Sequence, residues 1–106
     1  MAGTLENLED TIRKRRVSDP ALSYVAKLTA KGRAKIAQKV GEEAVETVIA
    51  AIEGDPAAVT AEAADLLFHL LVLLADMDVP FADVLAELER REGLSGLAEK
   101  AARQET

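Results

Sequence analysis

The apolar residues of the chain recur at helical spacing, and no stretch alternates with the two-residue period of a strand. Leu5, Leu8 and Ile12 share one face of a first predicted helix over residues 4–16. Asp19-Pro20 punctuates the chain, and a short helix over 22–30 precedes Gly32. A long helix is predicted over 33–53. Its apolar face is Ile36, Ala37, Val40, Ala44, Val48 and Ile52, and Gly54 suits its C-terminal cap. Asp55-Pro56 supplies an N-cap and first helical residue for a third long helix reaching about Met77. Pro80 opens a fourth, carrying Phe81, Val84, Leu85 and Leu88, and Gly93 ends it. The expectation is an all-α fold of four to five helices in an antiparallel bundle. No repeat or linker divides the chain, so residues 1–106 are expected to be one domain. Its core spans about 5–91, and 92–106 form a short helix or tail.

The third long helix departs from an ordinary amphipathic pattern. Leu66, Leu67, Phe68 and the run from Leu70 to Leu74 cover most of its circumference, which marks a buried helix. Glu62, Asp65, His69 and Asp76 nevertheless fall on one stripe about 60° wide. Carboxylates in such a slit are costly unless paired or bound to a cation. So much apolar surface also exceeds what so short a chain can cover, and a homodimer completing the bundle is expected.

Composition supports this picture. The 106 residues are 49% hydrophobic but only 3% aromatic, so the core is Leu, Val, Ile and Ala, which favours helices. With no cysteine there are no disulfides, thiolate ligands or Cys nucleophiles. The N-terminus lacks the basic and apolar regions of a signal peptide. The most apolar run, 63–75, is too short and polar to span a bilayer, and a cytoplasmic protein is expected. The net charge of −6 argues against nucleic-acid binding. Its distribution is uneven. Residues 1–40 carry nine Lys/Arg against four Asp/Glu, whereas 41–106 carry four against fifteen. One half can attract phosphates and the other cations.

The second long helix carries Glu42, Glu43 and Glu46 within an arc of about 100°. Glu43 and Glu46 stand one turn apart, as do Glu62 and Asp65 on the next helix. Two antiparallel helices bringing these pairs together would present oxygen donors only, a set that selects Mg²⁺ or Mn²⁺ over zinc. From Lys27 to Lys39 there are five basic residues and no acid: Lys27, Lys31, Arg33, Lys35 and Lys39. Lys35 and Lys39 share the face of Glu43 and Glu46 and are the leading phosphate ligands, with Lys27 beside them and Arg33 a further possibility. The run Arg13 to Arg16 is expected to be solvated, with an edge contact to substrate as the alternative. His69, one turn after Asp65, is either a satisfied core residue or a contact to substrate, metal or carboxylate.

The segments Lys39-Val-Gly-Glu-Glu-Ala-Val-Glu-Thr47 and Glu62-Ala-Ala-Asp-Leu-Leu-Phe-His69 together resemble the all-α nucleotide pyrophosphohydrolase superfamily. The closer resemblance is to the phosphoribosyl-ATP pyrophosphohydrolase family of histidine biosynthesis. Ser23-Tyr24, Lys27-Leu28, Gly32, Lys35 to Lys39, Leu70-Leu71 and Arg90-Arg91 add to it. Phe68 stands where that family often has Tyr, and Val25 where Thr is common. The resemblance implies Mg²⁺-dependent conversion of 1-(5-phosphoribosyl)-ATP to 1-(5-phosphoribosyl)-AMP and pyrophosphate. On this view Glu43, Glu46, Glu62 and Asp65 hold the metal. Glu46 and Glu42 act in catalysis, Glu42 as ligand or base. Lys35 and Lys39 steady the leaving pyrophosphate. The resemblance also points to a homodimer. A house-cleaning nucleoside triphosphate pyrophosphohydrolase and a non-catalytic helical dimerisation module are the rival readings.

Overall fold

The computed structural model describes residues 3–92 and residue 103. Five helices form there, and no strand is present among the described residues. They are α1 (Thr4–Arg15), α2 (Tyr24–Ala30), α3 (Arg33–Ile52), α4 (Pro56–Asp76) and α5 (Phe81–Glu92). The end expected at Gly93 and the segment from Ser95 lie outside the described residues.

The caps explain the boundaries. Ser23 accepts from the Ala26 amide at 3.2 Å, so α2 starts at Tyr24 and Leu22 stays outside it. Asp55 accepts from the Ala58 amide at 3.1 Å, with Pro56 as the first residue of α4. Gly54, at φ 73°, takes the left-handed conformation that ends α3. Pro80 lies just outside α5, whose first amide, on Phe81, donates to Glu9 Oε2 at 2.7 Å. That bond ties the start of α5 to α1.

The tight turn at residues 53–55 folds α3 and α4 into an antiparallel hairpin, and these two helices share the most extensive packing in the chain. α1 and α2 lie against its open end. Ile12, Val25, Leu28, Ile36, Leu71, Val72, Ala75 and Phe81 form the buried core, with Leu5, Leu8, Phe68 and Val84 packed on it. Each large apolar side chain of this set contributes about 1.5–3 kcal/mol on full burial, and Ala75 less.

The apolar face read for α3 divides. Ile36 is fully buried, but Val48 is 55% exposed and Ile52 81% exposed. In the second half of α3 the buried positions are Glu43 and Ala50, because α4 takes that side of the helix. Val45, Val48, Ile49 and Ile52 form an exposed apolar band on α3, and Leu67 on α4 is also exposed. α4 as a whole is 21 residues and, by length and composition, long and apolar enough to cross a membrane. The shorter run 63–75 underestimated it. Only 17% of its most apolar window is buried, so the buried helix expected from its apolar circumference is not realised within the described chain. Its buried residues are His69, Leu71, Val72 and Ala75, and its acids Glu62 and Asp65 face α3.

Candidate active site

The α3–α4 hairpin brings acids from two helices together. One carboxylate oxygen each from Glu43, Glu62 and Asp65 lie within 4.8 Å of one another. Residues one turn apart share a helix face, so Glu43 and Glu46 of α3 meet Glu62 and Asp65 of α4 across the interface. Glu43 is buried, Glu62 half-buried, and Asp65 and Glu46 exposed, so the cluster runs from the interior to solvent. Among the described residues the cation paired with it is Lys39, whose Nζ lies 3.9 Å from Glu43 Oε1.

This crowding shows in the electrostatics. The neighbouring Glu46 carboxyl, then burial, then Glu43, push Glu62 up to about 6. Burial first and Glu46 second raise Glu43 above the usual carboxylate range. Glu43 Oε2 and Glu62 Oε2 are buried without any hydrogen-bond partner. Orphaned buried oxygens of this kind are expensive unless a proton or cation meets them. The donor set is all oxygen, and it fits a hard divalent cation.

Glu42 stands apart from the cluster. It accepts from Gln38 Nε2 at 2.8 Å and Lys39 Nζ at 3.4 Å, and these contacts lower its pKa. In return, Glu42 raises the pKa of Lys39. Lys39 therefore sits between Glu42 and the carboxylate cluster. Lys27 and Lys31 at the end of α2, with Lys35 and Lys39 on α3, line one pocket of about 180 Å³, together with Tyr24, Leu28 and Glu42. The basic residues read as phosphate ligands thus converge, and Lys31 joins them. Arg33 does not: its Nε donates to Asp76 Oδ2 at 2.8 Å and its Nη2 to the Asp76 carbonyl at 3.3 Å.

His69 is buried and fully partnered. Its Nδ1 lies 2.8 Å from the Asp65 carbonyl, which can only accept, so Nδ1 carries a proton. In the neutral ring Nε2 then accepts from the Tyr24 hydroxyl at 2.8 Å. The Tyr24 ring stacks on Phe68 at 6.2 Å, and Phe68 meets His69 edge-on at 5.2 Å. The satisfied-core reading of His69 describes these contacts, and its backbone bond lies at the Asp65 turn of the acid cluster. Tyr24 was missed as a functional position. A lone, half-exposed Tyr at a helix start carries no spacing signal, and only folding brings it within 2.8 Å of a partner 45 residues away in the chain. Phe68, lacking a hydroxyl, takes part through ring contacts alone.

Of the α4 stripe, Asp76 lies at the opposite end from the cluster. It pairs with Arg33 at 2.8 Å and Arg16 at 3.9 Å, while Arg16 also donates to the Ala75 carbonyl at 2.7 Å. Arg13 joins Asp78 at 3.1 Å. The basic run of α1, expected to be solvated, therefore contributes two arginines to a clasp on the C-terminus of α4, where cations are favoured.

A model of the family described as phosphoribosyl-ATP pyrophosphohydrolase matches residues 5–92. The phosphoribosyl-ATP pyrophosphatase of Rhizorhabdus wittichii is 74% identical over 103 residues, covering 97% of both chains. That of Novosphingobium aromaticivorans is 69% identical, covering 93% of this chain and 92% of its own. That of Dinoroseobacter shibae is 61% identical, covering 93% and 97%.

Proposed function

Because the chain belongs to the phosphoribosyl-ATP pyrophosphohydrolase family, we propose that its α3–α4 carboxylates form the centre of that reaction, with Mg²⁺ as the cofactor and Mn²⁺ as a possible substitute. The enzyme hydrolyses 1-(5-phosphoribosyl)-ATP to 1-(5-phosphoribosyl)-AMP and pyrophosphate, a step of histidine biosynthesis. The observation that carries the site assignment is the convergence of Glu43, Glu62 and Asp65 within 4.8 Å, with buried oxygens of two of them unpartnered.

Glu43, Glu46, Glu62 and Asp65 hold the metal in this reading. When bound, Mg²⁺ supplies neutralisation of the triphosphate and lowers the pKa of the attacking water. Glu43 anchors the set from the interior, while Glu46 and Asp65 face solvent, where substrate arrives. Glu46, adjacent to both Glu43 and Glu62, is placed to act in catalysis as well as in ligation. The lowered pKa of Glu42 makes it a weak base, so its contribution is to hold Lys39 at the edge of the cluster. Lys39 stabilises charge on the leaving pyrophosphate, and Lys35 and Lys27 extend the phosphate-binding surface. His69 and Tyr24 keep the Asp65 turn of α4 fixed against α2.

We further propose a cytoplasmic homodimer formed by one all-α unit per chain. The support for the dimer is the apolar band of Val45, Val48, Ile49 and Ile52 on α3, exposed in the single chain. Sedimentation should give twice the chain mass.

A nucleotide panel with and without Mg²⁺ tests the assignment. Phosphoribosyl-ATP should be cleaved in preference to dATP, dCTP and dUTP, and only with the metal. Equal cleavage of the deoxynucleotides would favour a house-cleaning enzyme. Absence of both pyrophosphate release and a Mg²⁺-dependent thermal shift would leave a dimerisation module.

A further inference from the structure

The pocket between α2 and α3 gathers four lysines around one acid, Glu42. Lys27 and Lys31 stand one turn apart at the end of α2, and Lys35 and Lys39 one turn apart on α3, facing a single space of about 180 Å³. Ammonium groups sharing so small a space repel one another. Most other described cations are neutralised: Arg13, Lys14, Arg16, Arg33, Arg90 and Arg91 each pair with a carboxylate, and Arg15 at the end of α1 is the exception. Lys39 is also paired, with Glu42 and Glu43. Lys27, Lys31 and Lys35 form no ion pair among the described residues.

The position of these three is as informative as their charge. Lys35 precedes Glu43 by eight residues on one helix, which sets the two about 12 Å apart along its axis. Lys39 lies between them. The pocket is also smaller than the 300–1,000 Å³ or so of a whole small-molecule site, so it suits one end of a ligand. Phosphoribosyl-ATP is anionic at both ends. One ribose carries the triphosphate and the other a phosphate monoester, whose charge is about −1.5 to −2 at neutral pH.

We infer that Lys27, Lys31 and Lys35 form a separate subsite for the phosphate monoester of the second ribose, and that this subsite is what distinguishes phosphoribosyl-ATP from ATP. The inference rests on the proposed placement of the triphosphate at the α3–α4 carboxylates. Lys39, tied to the acids, stays with the triphosphate. The Tyr24 hydroxyl is engaged with His69, so its ring walls the pocket. Three point-charge donors on flexible stems suit a compact dianion. Because the monoester remains on phosphoribosyl-AMP, the subsite binds substrate and nucleotide product but contributes nothing to pyrophosphate.

Product inhibition separates the two ends of the substrate. The variants are Lys31→Gln and the double variant Lys31→Gln/Lys35→Gln, whose folds are checked by circular dichroism and thermal melting. Inhibition of phosphoribosyl-ATP turnover by phosphoribosyl-AMP and by pyrophosphate is measured for each. The expected result is that phosphoribosyl-AMP inhibition weakens about ten-fold or more for the double variant, while pyrophosphate inhibition weakens several-fold less. Equal weakening of both would place the lysines on the triphosphate and overturn the subsite. No weakening of either would make them a solvated surface and also overturn it. A parent protein that does not cleave phosphoribosyl-ATP at all would instead remove the proposed function, a result visible before any variant is made.

Discussion

The middle of α4 and its C-terminal end carry acids of the same kind in opposite circumstances. Near the middle of the helix Glu62 and Asp65 meet Glu43, with two buried oxygens unpartnered. At its C-terminus Asp76 is held by Arg33 and Arg16. Both groups lie on the stripe that interrupts an otherwise apolar helix. One set is neutralised by the chain itself and locks α1 and α3 onto the end of α4. The other is left crowded, at a standing cost in the absence of a cation. Charge left uncompensated by the fold marks the functional part of the helix, and charge compensated by the fold marks the structural one.

The largest expected break of this comparison comes from the crowded acids. Asp65→Asn and Glu62→Gln should each lower metal-dependent turnover by roughly a hundred-fold or more, since an oriented ligand to the reacting centre is lost. Steady-state pyrophosphate release measures this, and circular dichroism should show the helices intact. Activity close to that of the parent would take the residue out of the site. The clasped end should respond in the opposite way. Asp76→Ala removes the carboxylate from Arg33 and Arg16 but not their backbone acceptors, and chemical denaturation should show a loss of about 1–3 kcal/mol. Its Mg²⁺ requirement should match the parent's.

A smaller effect is written in pH. Glu62 has a folded pKa of about 6 against an ordinary value of 4.5, so between these values the folded state binds more protons than the unfolded one. Stability from this group is therefore present at low pH and lost as pH rises through about 6. In chelator, the melting temperature should be higher near pH 5 than near pH 7 as far as this group is concerned. Glu62→Gln should flatten that part of the profile, and saturating Mg²⁺ should remove it. The smallest effect belongs to a paired, solvent-facing acid. Arg90 and Arg91 hold Glu87 down at about 2, so its contribution vanishes only as pH falls from 4.5 towards 2. Glu87→Gln should leave the melting temperature at pH 7 close to the parent's, as exposed helical pairs generally do.

Much of this was legible in the chain before folding. Asp55-Pro56, Gly54 and the 3.6-residue periodicity marked the helix ends because caps and breakers act locally. The four metal-ligand candidates were legible because i,i+3 spacing fixes a helix face whatever the tertiary context. Three features were not. Arg33 sat in a basic run that suggested phosphate, but its partner Asp76 is 43 residues away. Asp76 shared the wheel position of Asp65, and a helical wheel ignores distance along the axis. Val48 and Ile52 looked like core, yet no helix among the described residues covers them. Each failure lies where one helix meets another, which local pattern does not encode.

The account stands most directly on divalent-cation binding at Glu43, Glu62 and Asp65. Titrating Mn²⁺ into the dialysed protein, with free ion followed by electron paramagnetic resonance, measures it without substrate. The parent should take up the ion, Glu43→Gln should weaken uptake by an order of magnitude or more, and Asp76→Asn should match the parent. Identical uptake by the parent and Glu43→Gln, in folded protein, would contradict the claim that this cluster is the metal centre.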